Sequence, residues 1–312
     1  MPVETVLVRS DDAAADARRW TADFPDVRFV TDDDVGADVT VVAGRVHDAE
    51  LDDLTGLSWV HSWAAGVEGD LGPRMRAQVR DGHTVVTSSA GNGAVPLAEH
   101  AMMLALMLDR DAPRWAQAQR ARRWERRTHG ELLGRTLGIY GYGNVGRELA
   151  VRAAAFGMRV IALRRRTGTD DPHVARFYQP EEILDFAARC DVLVVAAPLT
   201  AGTRGAIGER EISALPAGAS VIVVSRGGIV DDDALLRALR AGRIRAGLDA
   251  HAHEPLPADS PYWGEPSVIV TPHNGATTLA TARRGREIFV ENLRRRTSGK
   301  PMVNLVDVTA LG

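Results

Sequence analysis

Short apolar runs alternate with amphipathic stretches along the chain. Residues 3–8 (Val-Glu-Thr-Val-Leu-Val) form a β-type run, and 27–30, 39–43, 58–62 and 84–87 are further short strand patterns. Between the first two, residues 11–24 are Ala-rich with helical spacing. Strands alternating with helices predict a parallel sheet covered by helices on both faces. Residues 94–108 then read as a largely apolar, buried helix whose methionines serve packing. Residues 114–127 are rich in Arg and Trp but keep helical spacing and one acid, Glu125. They predict a partly solvated helix or arm and not a nucleic-acid surface.

A second series of the same kind follows. Strand patterns occupy 159–163, 191–197, 220–225, 245–248 and 268–271, and helical patterns occupy 180–189, 231–241 and 279–295. The run Asp191-Val-Leu-Val-Val-Ala-Ala is nearly continuous in apolar residues, as a strand buried on both faces requires. Residues 302–308 read as a final extended segment, and the last helix is expected to return to the first series.

The 312 residues are enough for about two domains. A net charge of -3 gives no argument for nucleic-acid or membrane partners. The start, Met-Pro-Val-Glu-Thr, is not a signal peptide, and no apolar stretch is long enough to span a bilayer. Cys190 is the only cysteine, read as a buried core thiol, so no intrachain disulfide forms and a cytoplasmic location is expected.

The series pivots on Leu137-Gly-Ile-Tyr-Gly-Tyr-Gly-Asn-Val-Gly146. An apolar strand, glycines at 141, 143 and 146, and a helix from near Val145 make a dinucleotide fingerprint. Gly141 permits the tight turn, Gly143 lets the backbone approach a pyrophosphate, and Gly146 lets the helix lie close to the strand. The helix start at Asn144 and Val145 offers N–H groups and a positive dipole end to the phosphates. At the end of the next strand an Asp or Glu would select the ribose hydroxyl of NAD(H). Here stand Arg164-Arg165-Arg166-Thr167, which suit a 2′-phosphate. NADP(H) is the expected cofactor, with Arg164 and Arg165 nearest the phosphate and NAD(H) use still open. The other reading of these arginines is a solvated basic turn.

Three segments lie at the C-terminal ends of predicted strands, where open α/β sheets bind ligands. They are Val224-Ser-Arg-Gly-Gly, Gly247-Leu-Asp-Ala-His-Ala-His-Glu-Pro-Leu-Pro, and Thr271-Pro-His-Asn-Gly. Hydride transfer to a 2-oxo acid needs a cation for the carboxylate and a proton donor for the developing alkoxide. Arg226 suits the first task and His273 the second, with Glu254 able to hydrogen-bond the histidine. Each has an ordinary structural alternative: a salt bridge from Arg226 to Asp231 or Asp232, a surface charge at Glu254, a buried hydrogen-bonded His273. His251, His253 and His273 lack the paired cysteines or His-Glu-x-x-His helix of a zinc site, so no metal is expected.

These motifs in this order resemble the D-isomer-specific 2-hydroxyacid dehydrogenases, with glyoxylate and hydroxypyruvate reductases among them. The likeness also rests on Pro198-Leu199-Thr200 with Thr203 following, the Arg-Gly, Glu-Pro-Leu and Thr-Pro-His segments, and runs from about Ser62 to the last helix. It implies an α/β fold of two doubly wound parallel-sheet domains, with a Rossmann cofactor domain (99–284) inserted into a flavodoxin-like substrate domain (1–98 and 285–312). By resemblance Arg226, Glu254 and His273 are catalytic. Asp249 lies near the nicotinamide carboxamide, and Pro198, Thr203 and Gly275 also line the cofactor. The loop at 63–68 binds the substrate carboxylate, through Ala65 and Gly66 with Arg226. The resemblance further implies a cleft that closes between the domains, a homodimer, and a small 2-oxo or 2-hydroxy acid substrate. The chain's end soon after the last helix is expected to leave no room for the regulatory extension of many phosphoglycerate dehydrogenases. His251 and His253 stand where the family often has an aromatic, a departure at the pocket wall. An alternative function is a dinucleotide-sensing, corepressor-like binding protein with little turnover.

Overall fold

The computed structural model describes residues 4–34, 36–67, 69–166, 168 and 170–310. Val3 of the first expected strand, Glu68 of the expected substrate loop and Thr167 of the basic turn lie outside them. Two compact units are present: residues up to Asn92 with those from Thr278 onward, and Gly93–Thr277.

The first unit runs β1 (Glu4–Val8), α1 (Ala13–Asp23), β2 (Val27–Val30), β3 (Val41–Ala43), β4 (Trp59–Ser62), α2 (Pro73–Arg80) and β5 (Val85–Ser88). Its strands pair in parallel in the order β2-β1-β3-β4-β5. That is the flavodoxin-like winding. Four of five β1 residues and all of β3 and β4 are buried, as expected where both sheet faces are covered.

The second unit runs α3 (Ala94–Asp109), α4 (Ala112–Arg120), β6 (Thr136–Tyr140), α5 (Asn144–Ala155), β7 (Arg159–Leu163) and β8 (Arg176–Tyr178). It continues through α6 (Ile183–Ala187), β9 (Val192–Val195), α7 (Glu209–Ala214), β10 (Ser220–Val223), α8 (Asp232–Arg240), β11 (Arg245–Leu248) and β12 (Val268–Val270). Its parallel sheet has the order β12-β11-β10-β9-β6-β7-β8. The winding reverses between β6 and β9, and ligands of such sheets bind outside the strand ends at that point.

Helix α9 (Leu279–Thr297) then rejoins the first unit. Phe289 and Leu293 pack with Val6, Trp20 and Trp59. The buried Asn292 amide both donates to and accepts from the main chain of Val303. The extended segment expected at 302–308 is reduced to one antiparallel bridge, Leu305 with Thr87.

The unit boundaries differ from the expected 98/99 and 284/285. Ala98, Ala101, Leu104 and Leu108 of α3 share a core with Leu137, Ile139 and Leu149, so the helix belongs whole to the second unit. At the other end Thr278 caps α9 by accepting from Thr281 N at 3.1 Å, so that helix belongs whole to the first. The basic arm is a helix only to Arg120; beyond it Glu125 accepts from Arg123 at 2.6 Å and lies 3.5 Å from Arg127. Among the described residues, no helix is long and apolar enough to cross a membrane.

Candidate active site

Strand β6 ends at Tyr140, and the glycine loop turns at Gly141, whose φ is +100°. A Cβ there would lie 2.5 Å from the Ala197 main chain just after β9, so only glycine fits. At Gly146 a Cβ would stand 2.9 Å from the Gly141 carbonyl oxygen. At Gly143 it would meet nothing within 4 Å among the described residues, none of which caps the α5 start with its side chain. The first N–H groups of α5, at Asn144 and Val145, therefore border open space at the winding reversal. This loop fits a dinucleotide pyrophosphate. Beside it, Thr203 Oγ1 donates to the Pro198 carbonyl at 2.7 Å and accepts from Thr200 N at 2.8 Å, which shapes the turn after β9.

At the end of β7, the Arg164 guanidinium sits over the Phe177 ring, 3.6 Å from its centroid, and donates to the Gly168 carbonyl at 2.9 Å. Tyr142 of the glycine loop meets the same ring edge-on at 5.0 Å. The guanidinium is thus held in place by stacking, while Arg165 is exposed.

The three chemistry-bearing segments leave the C-terminal ends of the adjacent strands β10, β11 and β12. Arg226 donates through Nη1 to the Ser225 carbonyl. A Cβ at its neighbour Gly227 would sit 2.0 Å from the carbonyl carbon of His251, so the two loops touch through backbone. Glu254 Oε1 accepts from His251 N at 2.9 Å, and Oε2 lies 2.8 Å from His273 Nδ1. Burial would raise the Glu254 pKa, but the hydrogen bonds from His273 and the His251 N–H outweigh it and hold the carboxyl below its usual value. His273 has a φ of +50°, a left-handed conformation uncommon without glycine. Of the ordinary partners considered for Arg226, Asp231 caps α8 by accepting from Ala234 N, and Asp232 accepts from Tyr262.

Asp249 is fully buried. Oδ1 accepts from Thr271 Oγ1 at 2.6 Å and from Asn274 N at 3.1 Å, and Oδ2 accepts from Gly275 N at 3.0 Å. Desolvation opposes the charge, yet these bonds and His100 keep the carboxyl well below the usual carboxylate range. Its visible work is to tie the turn holding His273 to the end of β11. Gly275 is required there, since a Cβ would stand 2.8 Å from Asp249 Oδ2.

His100 on α3 escaped the sequence reading. Its Nε2 lies 3.0 Å from Thr271 Oγ1 and 3.4 Å from Asp249 Oδ1. The available signal was a Glu99-His100 pair inside an otherwise apolar helix. His251, expected at the pocket wall, is buried with Nε2 3.0 Å from the Thr271 carbonyl oxygen, whereas His253 is exposed. A hollow of about 820 Å³ lies elsewhere on the second unit, lined by Leu108, Asp109, Arg114, Arg127 and Arg245, and holds none of the candidate residues.

In the first unit, the loop carrying Ala65 and Gly66 follows β4. Ser62 Oγ donates to Asp70 at 2.6 Å and accepts from Ala64 N at 3.1 Å, and the Ala64 carbonyl accepts from Ser89 N. Beneath it the buried His61 ring sits 2.8 Å from Thr87 Oγ1 and 3.1 Å from Ser89 Oγ. Burial pushes the His61 pKa down to about 3, so the ring is neutral.

A family model described as D-isomer specific 2-hydroxyacid dehydrogenase, NAD binding domain, matches residues 102–275. The chain is 31% identical over 234 residues to D-3-phosphoglycerate dehydrogenase of Methanocaldococcus jannaschii, a match covering 72% of this chain and 43% of that protein. The match therefore spans less than half of that relative's length. Among solved structures, a D-isomer specific 2-hydroxyacid dehydrogenase family protein from Aeromonas salmonicida superposes with a TM-score of 0.83. It is 30% identical, over 98% of this chain and 99% of that one. The D-isomer specific 2-hydroxyacid dehydrogenase of Xanthobacter autotrophicus Py2, in complex with NADPH and MES, gives 0.81 at 29% identity, over 98% of both chains.

Proposed function

The chain belongs to the D-isomer specific 2-hydroxyacid dehydrogenases, and we propose that within that family it reduces a small 2-oxo acid, of the glyoxylate or hydroxypyruvate kind, to the D-2-hydroxy acid with NADPH. The observation that carries this reading is the Glu254–His273 pair, 2.8 Å apart, at the same strand edge as Arg226. NADPH supplies the hydride when bound. Glu254 accepts from Nδ1–H of His273, and the doubly protonated ring gives its Nε2 proton to the developing alkoxide, ending as the neutral Nδ1–H imidazole. Arg226 pairs with the substrate carboxylate. In the reverse oxidation His273 takes the proton back.

The open α5 start at Gly143 supports pyrophosphate binding, and Arg164 supports the 2′-phosphate of NADP(H) over NAD(H). Exposed Met103 on α3 and Val151 and Phe156 at α5 leave apolar surface on the second unit, consistent with a homodimer; size measurement in solution tests it. A panel of 2-oxo acids with NADPH and NADH, followed by nicotinamide absorbance, tests the reaction. Turnover of at least one small acid, faster with NADPH, is expected. Tight cofactor binding with no turnover of any acid would overturn it in favour of a binding protein.

A further inference from the structure

One buried residue, His251, links its own segment to the other two, through its main chain on one side and its ring on the other. The His251 main-chain N–H donates to Glu254 Oε1 at 2.9 Å. Its ring Nε2 lies 3.0 Å from the carbonyl oxygen of Thr271, two residues before His273. Its carbonyl carbon abuts Gly227, next to Arg226. A carbonyl oxygen only accepts, so Nε2 carries the hydrogen. Nδ1 is buried and has no hydrogen-bond partner among the described residues.

The left-handed conformation of His273 is strained for a residue with a side chain and persists only where its neighbours hold it. On its C-terminal side Asn274 N and Gly275 N are held by Asp249. On its N-terminal side Pro272 has no N–H to donate. The chain there is anchored at Thr271 instead, through its side chain to Asp249 and its carbonyl to the His251 ring. We propose that His251 is a positioning residue, which as the Nε2–H tautomer fixes the approach to His273 while its backbone fixes Glu254, so that the two meet. It touches no reacting atom. This rests on the roles given above to Glu254 and His273.

Two variants test it. His251→Phe keeps a flat ring of similar size but removes the donor. His251→Gln places an amide N–H at comparable reach. Losing one buried bond at this anchor predicts kcat for 2-oxo acid reduction about tenfold lower in H251F, with KM for NADPH within about twofold. H251Q should recover most of the loss. Ring-nitrogen NMR of the whole protein reads the same geometry without turnover. It should show His251 as Nε2–H and His273 as Nδ1–H, the latter preference weakened in H251F and restored in H251Q. An Nδ1–H tautomer at His251, unchanged kcat in H251F, or no recovery in H251Q would each overturn the proposal. A wild type that reduces no 2-oxo acid defeats the functional reading alone, and the NMR comparison then decides the role of His251. Should H251F fail to fold, H251Q and the wild-type tautomers decide it.

Discussion

Replacing Asp249 by Asn removes one charge from the most densely bonded side chain near the proposed site and leaves its shape. The carboxylate accepts three hydrogen bonds, from Thr271 Oγ1, Asn274 N and Gly275 N, all from one turn. An amide offers one acceptor oxygen and a donor NH2 group. Whichever way it is turned, the NH2 faces at least one donor. A buried donor left without an acceptor costs about 1–3 kcal/mol, and the remaining bonds lose their charge assistance, so the expected destabilisation is about 2–4 kcal/mol. Denaturant titration of the whole chain measures it as a lowered midpoint at unchanged slope. The pH dependence supplies the sign. The folded-state pKa of Asp249 is depressed, so its stabilisation is complete above the unfolded value of about 3.9 and is lost as pH falls through the lower folded value. The gap between wild type and D249N should therefore be widest near neutrality and close only in acid below that range. A D249N variant within about 0.5 kcal/mol of wild type at neutral pH, the scatter of ordinary surface substitutions, would refute the reasoning.

Four further outcomes follow from the same geometry. Glu254→Gln should lower kcat for reduction at least tenfold, since the pair with His273 loses its charge. The Glu254 pKa is also depressed, so wild-type activity should hold until pH falls below about 4.3 and then drop as the carboxylate protonates, a limb that E254Q lacks; pH profiles of kcat compare them. Arg164→Ala should reduce the NADPH over NADH ratio of kcat/KM about tenfold or more, and an unchanged ratio, or a wild type that favours NADH, sinks the phosphate assignment. Gly227→Ala places a Cβ 2.0 Å from the His251 carbonyl carbon and 2.2 Å from Ala252 N, against the backbone of one peptide group. Overpacking of about 1–3 kcal/mol is expected, read as a lower melting temperature with impaired turnover. Cys190 is buried, and burial pushes its thiol pKa far up, so thiol reagents should label it only after unfolding; prompt labelling of the native protein contradicts that.

The groups of the proposed site were legible in the sequence because each sits in a local pattern: glycines between a strand and a helix, or a polar residue just past an apolar run. Short amphipathic elements were not. Helix α2 carries three arginines and buries only Met75, and β8 has three residues, too few to show a period. The unit boundaries were misplaced because an apolar helix such as α3 does not announce which core it joins. The wiring was invisible for a different reason. His100 reaches Thr271 across 171 residues of sequence, and no local pattern encodes that distance. Once the acceptors are placed, however, the hydrogen atoms follow. The Asp249 carboxylate can only accept, so Thr271 Oγ1–H points to it, and Thr271 Oγ1 must then accept from His100 Nε2–H. The Thr271 carbonyl requires Nε2–H of His251, and the Glu254 carboxylate requires Nδ1–H of His273. Three histidines thus have their protonated nitrogens assigned by partners that cannot donate. On His273 that assignment leaves Nε2 on an exposed ring, where the proposed proton transfer needs it, whereas His251 Nδ1 is sealed in the interior.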